Sequence, residues 1–158
     1  MVPPRAPLPP GVPNYVTPRG LKLLREERAR LNAERATLTA EHKGADGTAE
    51  AERKRRLTVV STELTQLAER LALAKLVTPR GGKGDPIRFG AHVTVEMADG
   101  ERRRFQIVGV DEADAAEGRI AFTSPMARAV NGKKAGDPAT LKTPQGEETL
   151  TVSAVSYE

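Results

Sequence analysis

The sequence has no cysteine, so it can form neither a disulfide framework nor a thiolate site. Only 3% of its 158 residues are aromatic, which predicts a core of aliphatic side chains. No apolar run approaches the roughly 20 residues of a membrane helix, and the N-terminus lacks the apolar stretch of a secretory signal. We therefore expect a protein of the reducing cytoplasm with no membrane partner.

Catalytic and metal-binding motifs are also absent. The two histidines, His42 and His92, have no cysteine, second histidine or nucleophile at motif spacing. The stretch Gly81-Gly82-Lys83-Gly84 lacks the Ser or Thr that follows Gly-Lys in a phosphate-binding loop. The sequence thus predicts no enzyme, no cofactor and no metal held by this chain alone.

The charge is unevenly distributed. Residues 1–80 contain 15 basic and 9 acidic residues, a net charge of +6, whereas residues 81–158 contain 10 and 12, a net charge of −2. The N-terminal half is therefore the half expected to approach an anion such as a nucleic acid, although an exposed helix rich in Arg and Glu gives the same pattern.

Residues 15–78 predict an antiparallel coiled-coil hairpin. Leucines fall seven apart in the first arm, and apolar residues alternate spacings of three and four in the second. Thr17 and Pro18 are a cap and first-turn pair, and the second helix is predicted from about Thr48 to Leu76. The seam residues are Leu24, Leu31, Leu38, Leu57, Val60, Leu64, Leu67, Leu71 and Ala74.

The apex of this hairpin, residues 42–48, contains glycines that interrupt the helix and is followed by charged residues. Asp46 and Glu50 are the better-placed pair of carboxylates there. They could complete a metal site whose other ligands belong to a partner, or they could simply stabilise the start of the helix. The run Arg53-Lys54-Arg55-Arg56 could bind phosphates of a nucleic acid or only keep the helix solvated.

The remaining segments differ from the hairpin. Residues 1–14 contain six of the twelve prolines and predict a disordered tail, and residues 79–86 predict a linker. From residue 87 to 158 the apolar period changes to two, with a turn at Asp99-Gly100 and a short helix opened by Ser124-Pro125. A change of phase in the last strand predicts a β-bulge near Ser153. The fold class is therefore α+β, a helical hairpin followed by a small antiparallel β domain with one short helix.

Several segments together resemble the bacterial Gre transcript-cleavage factors. They occur in the family's order and span most of the chain: YVTPRGLKLLREE (15–27), FGAHVTV (89–95), IVG (107–109) with DEAD (111–114), SPMARA (124–129), KTPQGE (142–147) and VSY (155–157).

The resemblance implies a specific partner and mechanism. It implies that residues 87–158 have an FKBP-like fold and dock on RNA polymerase at the rim of its secondary channel, through Ser124, Pro125 and Met126. It also implies that the coiled coil enters the channel as a monomeric probe. Asp46 and Glu50 at the tip would then help to hold Mg²⁺ of the polymerase active site, so that the polymerase hydrolyses the 3′ end of backtracked nascent RNA.

The tip departs from the family pattern. The family's Asn and Tyr are absent, the acid spacing is altered, and both arms are several residues shorter. Three hypotheses follow: a factor that stimulates cleavage, a channel-binding regulator that does not, and a coiled-coil dimerisation module with an unrelated β domain.

Overall fold

The computed structural model describes residue 5 and residues 8–40, 47–82 and 84–157. The N-terminal half is a hairpin of two long helices, α1 (Pro18–Ala40) and α2 (Gly47–Ala72). Two short strands, β1 (Asn14–Val16) and β2 (Ala74–Leu76), lie at the base of the hairpin and pair in parallel.

The hairpin is held by the predicted leucine seam. Leu24 and Leu31 of α1 and Val60 and Leu67 of α2 are almost fully buried in one cluster. Leu38, Leu64, Leu71 and Ala74 pack against this cluster. The seven-residue spacing keeps these side chains on one face of each helix, so the two faces close on each other and the coiled-coil prediction is confirmed.

The start of α1 also agrees with the sequence. The Thr17 hydroxyl accepts a hydrogen bond of 2.9 Å from the Gly20 amide, which satisfies one of the unpaired donors of the first turn. Arg28 and Arg35 fall at positions where apolar seam residues would be expected. They are nevertheless exposed, and the seam of α1 is formed by its leucines.

The base of the hairpin differs from the prediction. α2 ends at Ala72 instead of near Leu76, and the chain then forms β2. The Asn14 side chain, which was predicted to lie in the tail, is buried and donates a hydrogen bond of 3.0 Å to the Arg70 carbonyl. This bond takes up a carbonyl that the helix end leaves unpaired, and it explains why the helix can stop there.

The C-terminal half is a five-stranded, mostly antiparallel sheet in the order β5-β4-β3-β7-β6. Only β4 and β5 are parallel to each other. A short helix, α3 (Pro125–Val130), packs against the sheet. The strands are β3 (His92–Met97), β4 (Arg102–Val108), β5 (Arg119–Ala121), β6 (Pro138–Thr143) and β7 (Gly146–Ser156).

The sheet has an aliphatic core and the predicted bulge. Val93, Val95, Leu150 and Val152 are almost fully buried between the sheet and α3. Thr94 pairs with Ala154 and Val95 with Val152, which leaves Ser153 as the extra residue in β7. The α+β fold class, with helices and sheet segregated along the chain, is therefore confirmed. Within the described ranges, neither long helix is apolar enough to cross a membrane.

Candidate functional site: the hairpin tip and its base

The tip lies where α1 ends at Ala40 and α2 begins at Gly47. Residues 41–46, including the predicted site residue Asp46, lie outside the described residues. Glu50 is described and occupies the first turn of α2, where the positive end of the helix dipole favours a carboxylate. Of the predicted carboxylate pair, only Glu50 is therefore among the described residues.

The carboxylate of Glu50 is held by Arg53, one turn further along α2. Arg53 donates from Nε to Oε2 at 2.9 Å and from Nη2 to Oε1 at 2.6 Å, so both oxygens are engaged. Its third nitrogen, Nη1, donates to the Leu38 carbonyl of α1 at 3.1 Å. The hydrogen bonds to Glu50 raise the pKa of Arg53. Arg53 thus ties the acid at the tip to the end of the opposite helix.

An ion pair between the two arms lies further from the tip. Arg56 of α2 donates through Nη2 to Glu34 of α1 at 2.8 Å, and its Nε contacts the other carboxylate oxygen. This hydrogen bond lowers the pKa of Glu34 and raises that of Arg56. Two members of the predicted nucleic-acid-binding run are consequently paired within the hairpin.

The other two members of the run face solvent. Lys54 and Arg55 are exposed, and neither forms an ion pair with any residue that the structure describes. The Arg55 Nε atom donates only to the Ala51 carbonyl, at 3.4 Å. The four consecutive cations therefore divide into two that brace the hairpin and two that present charge to the surroundings.

The predicted partner-binding segment opens α3. The Ser124 hydroxyl accepts from the Ala127 amide at 3.3 Å and caps the helix, as predicted. Pro125 is exposed, whereas Met126 is half-buried and packs against the sheet core. The segment is thus a rigid corner on which Pro125 is the most accessible side chain.

A buried acid joins the hairpin to the β domain. Glu112 accepts hydrogen bonds from the Thr17 hydroxyl at 2.5 Å and from Arg19 at 3.0 Å, both at the start of α1. A Cβ at position 20 would lie 2.8 Å from Glu112 Oε1, so Gly20 leaves the room that this carboxylate needs. Sequence reasoning missed this role of Glu112, because its partners are 95 and 93 residues away.

The neighbouring Asp111 ties three further segments together. It accepts a hydrogen bond of 3.1 Å from Arg5, and it forms an ion pair of 3.4 Å with Arg70 of α2. Arg5 also binds Glu27 of α1, at 2.7 Å. Burial lowers the pKa of Arg5, but its hydrogen bonds to Glu27 and Asp111 outweigh this effect and raise it.

Aromatic contacts and a close backbone approach also hold the base of the hairpin against the β domain. We call this contact region, which includes Glu112 and Asp111, the joint. Tyr15 contacts Phe89 and Phe122 of the β domain at ring-centroid distances of 5.8 and 5.4 Å. A Cβ at position 109 would lie 2.5 Å from the Tyr15 carbonyl oxygen, so only glycine allows the two backbones to approach this closely. The joint therefore fixes the base of the hairpin on the β domain.

Proteins similar to this chain in sequence are named transcription elongation factors. The chain is 33% identical over 153 residues to "Transcription elongation factor GreB" of Neisseria meningitidis, covering 91% of this chain and 94% of that one. It is 36% identical over 155 residues to "Transcription elongation factor GreA" of Ralstonia nicotianae, covering 90% and 96%. The chain belongs to the Gre transcription elongation factor family.

The β domain alone also matches the Gre family. Residues 82–157 match the family described as "Transcription elongation factor, GreA/GreB, C-term". A crystal structure of Thermus aquaticus Gfh1 aligns with a TM-score of 0.43 at 28% identity, covering 90% of this chain and 98% of that one.

The described part of this Gre chain contains no cluster of three or more side chains that could hold a metal ion.

Proposed function

We propose that this Gre-family chain is an accessory factor of bacterial RNA polymerase, working in the cytoplasm as a monomer. Its β domain docks at the rim of the secondary channel, and its hairpin reaches toward the catalytic centre. There it stimulates hydrolysis of backtracked RNA by the polymerase. The observation that carries the proposal is the position of Glu50, a carboxylate in the first turn of α2 at the free end of the hairpin.

The dimensions of the hairpin suit such a probe. α1 has 23 residues and α2 has 26, so each arm extends about 35 to 39 Å at 1.5 Å per residue. Its surface is largely polar, because the apolar residues are used in the seam between the arms. A polar rod of this length can enter a hydrated channel without exposing an apolar face.

The chemistry assigned to the tip is a shared one. A carboxylate oxygen is a suitable ligand for Mg²⁺, but two carboxylates fall short of the six ligands of its octahedral site. Asp46 and Glu50 would therefore supplement ligands that belong to the polymerase. When bound there, a divalent ion activates water for attack on a phosphodiester. What this chain contributes is the placement of two negative charges, with Lys54 and Arg55 nearby to attract the RNA backbone.

The test is a transcript-cleavage assay on stalled, backtracked elongation complexes in the presence of Mg²⁺. The wild-type protein should release short 3′ RNA fragments. The double variant Asp46→Ala/Glu50→Ala should lose this release while retaining affinity for the polymerase, and Glu52→Ala, on the same turn, should behave as wild type. Fragment release that survives the double substitution would remove the tip residues from the mechanism.

A second candidate function is favoured by the Arg53–Glu50 pair. Because both Glu50 oxygens accept hydrogen bonds from Arg53, this carboxylate is engaged within the chain. A factor with a closed tip would occupy the channel and regulate transcription without stimulating cleavage. This second function predicts that one preparation of the protein binds polymerase and alters elongation but releases no RNA fragments. The match of residues 82–157 to the Gre family argues against the third hypothesis, a dimerisation module with an unrelated β domain.

A further inference from the structure

The proline-rich segment before β1 lies against the base of the hairpin. Residues 8–13 form one wall of a cavity of about 580 Å³, and Gln66, Glu69 and Arg70 of α2 form the opposite wall. Arg5, which precedes these residues, also lines the cavity. We call Arg5 and residues 8–13 the strap.

A tight turn reverses the direction of the strap. The Val12 amide donates a hydrogen bond of 3.1 Å to the Pro9 carbonyl, and Gly11 has a φ of 77°. Proline in the second position and glycine with positive φ in the third are the residues that a type II turn favours. Because Pro10 fixes its own φ in the unfolded chain as well, ordering this turn costs less conformational entropy.

Arg5 joins the hairpin to the β domain. Its Nη2 and Nη1 atoms donate to the two carboxylate oxygens of Glu27 in α1, at 2.7 and 3.3 Å. Its Nε atom donates to Asp111 of the β domain at 3.1 Å. The side chain of Arg5 is only 19% exposed and that of Asp111 only 9%, so these charge-assisted bonds are shielded from water. One guanidinium group therefore connects the two halves of the chain.

The charges around Arg5 make this connection sensitive to its loss. Asp111 has a second ion pair, with Arg70 at 3.4 Å. Among the residues that the structure describes, Glu27 forms an ion pair with Arg5 alone. Without Arg5, an uncompensated negative charge on α1 would face the carboxylate of Asp111, and attraction between the halves would become repulsion.

The strap holds the hairpin at a second point. Glu112 and Tyr15 contact the hairpin and the β domain at the start of α1. Glu27 lies nine residues beyond Pro18, about 14 Å further along the helix. A rod held at one end can still rotate about that end, whereas a rod held at two separate points cannot.

We propose that the strap sets the direction of the hairpin relative to the β domain, with Arg5 as the positioning residue. The strap itself contacts neither RNA nor metal, and it acts through the angle at which the hairpin leaves the joint. Its effect on cleavage rests on the proposed function, whereas the restraint on the hairpin is a property of this chain alone.

The first experiment measures the restraint without polymerase. Because the chain has no cysteine, Ala51→Cys near the tip and Thr149→Cys in the β domain can carry two spin labels at exposed positions. Pulsed electron paramagnetic resonance then gives the distribution of distances between the labels in the full-length protein. Arg5→Gln should widen this distribution about twofold or more, because only the joint then resists rotation.

Two matched variants separate the role of the Arg5 side chain from a general effect of charge. Arg5→Lys keeps the charge but lacks the planar fork that reaches both acids, so it should give an intermediate width. Arg28→Gln removes the same charge from an exposed position of α1 and should leave the distribution unchanged. Removal of residues 1–12 should widen the distribution at least as much as Arg5→Gln.

The result that overturns the proposal is a distribution in Arg5→Gln, or after removal of residues 1–12, as narrow as that of the wild type. A lower urea midpoint together with that narrow distribution would mean that the strap stabilises the fold without directing the hairpin. Circular dichroism spectra that match the wild type would show that each variant is folded.

A second measurement tests the consequence for the tip. In the transcript-cleavage assay, Arg5→Gln should lower the maximal rate about tenfold, because the tip is then misplaced for most of the time. The factor concentration at half-maximal rate should change less than twofold. A wild-type rate in a variant with a widened distribution would overturn the positioning role. If the wild-type protein releases no fragments, the proposed function is wrong, and the distance distribution still decides whether the strap directs the hairpin.

Discussion

Arg53 binds both carboxylate oxygens of Glu50 and also the Leu38 carbonyl at the end of the opposite helix. The residue that closes the tip of the hairpin is thus also the residue that restrains the acid proposed to act there. Arg53 therefore competes with a metal ion for the same two Glu50 oxygens.

Replacing Arg53 with Gln should therefore favour cleavage at limiting Mg²⁺. The pair is partly buried but lies at the surface, where ion pairs are weak, so we expect the Mg²⁺ concentration for half-maximal cleavage to fall by no more than about fivefold. Initial cleavage rates across a Mg²⁺ titration give this value. Arg28→Gln removes the same charge from an exposed position of α1, away from the tip, and should leave the titration unchanged. A higher Mg²⁺ requirement in Arg53→Gln would mean that the pair helps Glu50.

The Glu34–Arg56 pair predicts a pH-dependent contribution to hairpin stability. Its hydrogen bond lowers the pKa of Glu34 from the ordinary value of 4.5. The contribution is therefore fully present above pH 4.5 and is lost as the pH falls through the lowered pKa of the folded state. Urea unfolding of wild type and Glu34→Gln should differ slightly at pH 7 and converge at acidic pH. In an Arg56→Gln background the Glu34→Gln substitution should have a smaller pH-dependent effect, since only Arg30 then lowers the pKa of Glu34.

The buried Glu112 should stabilise the joint. Glu112→Gln replaces hydrogen bonds to a charged acceptor with neutral ones, and we expect a loss of about 1.5 to 3 kcal/mol in the free energy of unfolding. Urea denaturation followed by circular dichroism measures it. Glu117→Gln, at an exposed position in the same loop, should change stability by less than about 0.5 kcal/mol. Equal effects of the two substitutions would contradict a role for Glu112 in the joint.

Gly109 should not tolerate a side chain. The added methyl group of Gly109→Ala would lie 2.5 Å from the Tyr15 carbonyl oxygen, so the backbones must separate, at a cost of about 1 to 3 kcal/mol. Gly82→Ala meets no heavy atom within 4 Å and serves as the control. Thermal unfolding of the two variants should give a lower midpoint for Gly109→Ala alone.

The seam of the hairpin should respond to truncation according to burial. Leu67 is fully buried, and Leu67→Ala should lower the free energy of unfolding by about 2 to 5 kcal/mol. Leu73, directly after α2, is 61% exposed, and Leu73→Ala should change the free energy of unfolding by less than about 0.5 kcal/mol. A small effect at Leu67 would indicate that the arms are not held together by this seam.

Local patterns predicted most of the fold. The leucine spacing, the Thr17 and Ser124 caps and the bulge at Ser153 all depend on residues close in sequence, and all are confirmed. The Arg53–Glu50 pair also had a local signal, since residues three apart are neighbours on a helix. It went unrecognised because the basic run was considered only as a surface that faces nucleic acid or solvent, and not as a partner of Glu50.

The joint could not be predicted in the same way. β1 and β2 have three residues each, and they pair across 60 positions of sequence. Nothing local distinguishes the buried Glu112 from the exposed Glu117, because the difference arises from which side of the loop meets α1. Of the two predicted tip carboxylates, Glu50 lies in the first turn of α2 and Asp46 lies outside the described residues, and their role in cleavage stays a prediction.

The joint also makes the hairpin a lever. α2 extends about 39 Å from its base, so a rotation of only 5° at the joint would displace the tip by roughly 3 Å. Metal coordination tolerates only a few tenths of an ångström, about a tenth of that displacement. The hydrogen bonds of Glu112 and the contact between Gly109 and Tyr15 therefore restrain the position of tip residues, such as Glu50, that they do not contact. In this molecule, angular stiffness at the base determines positional accuracy at the tip.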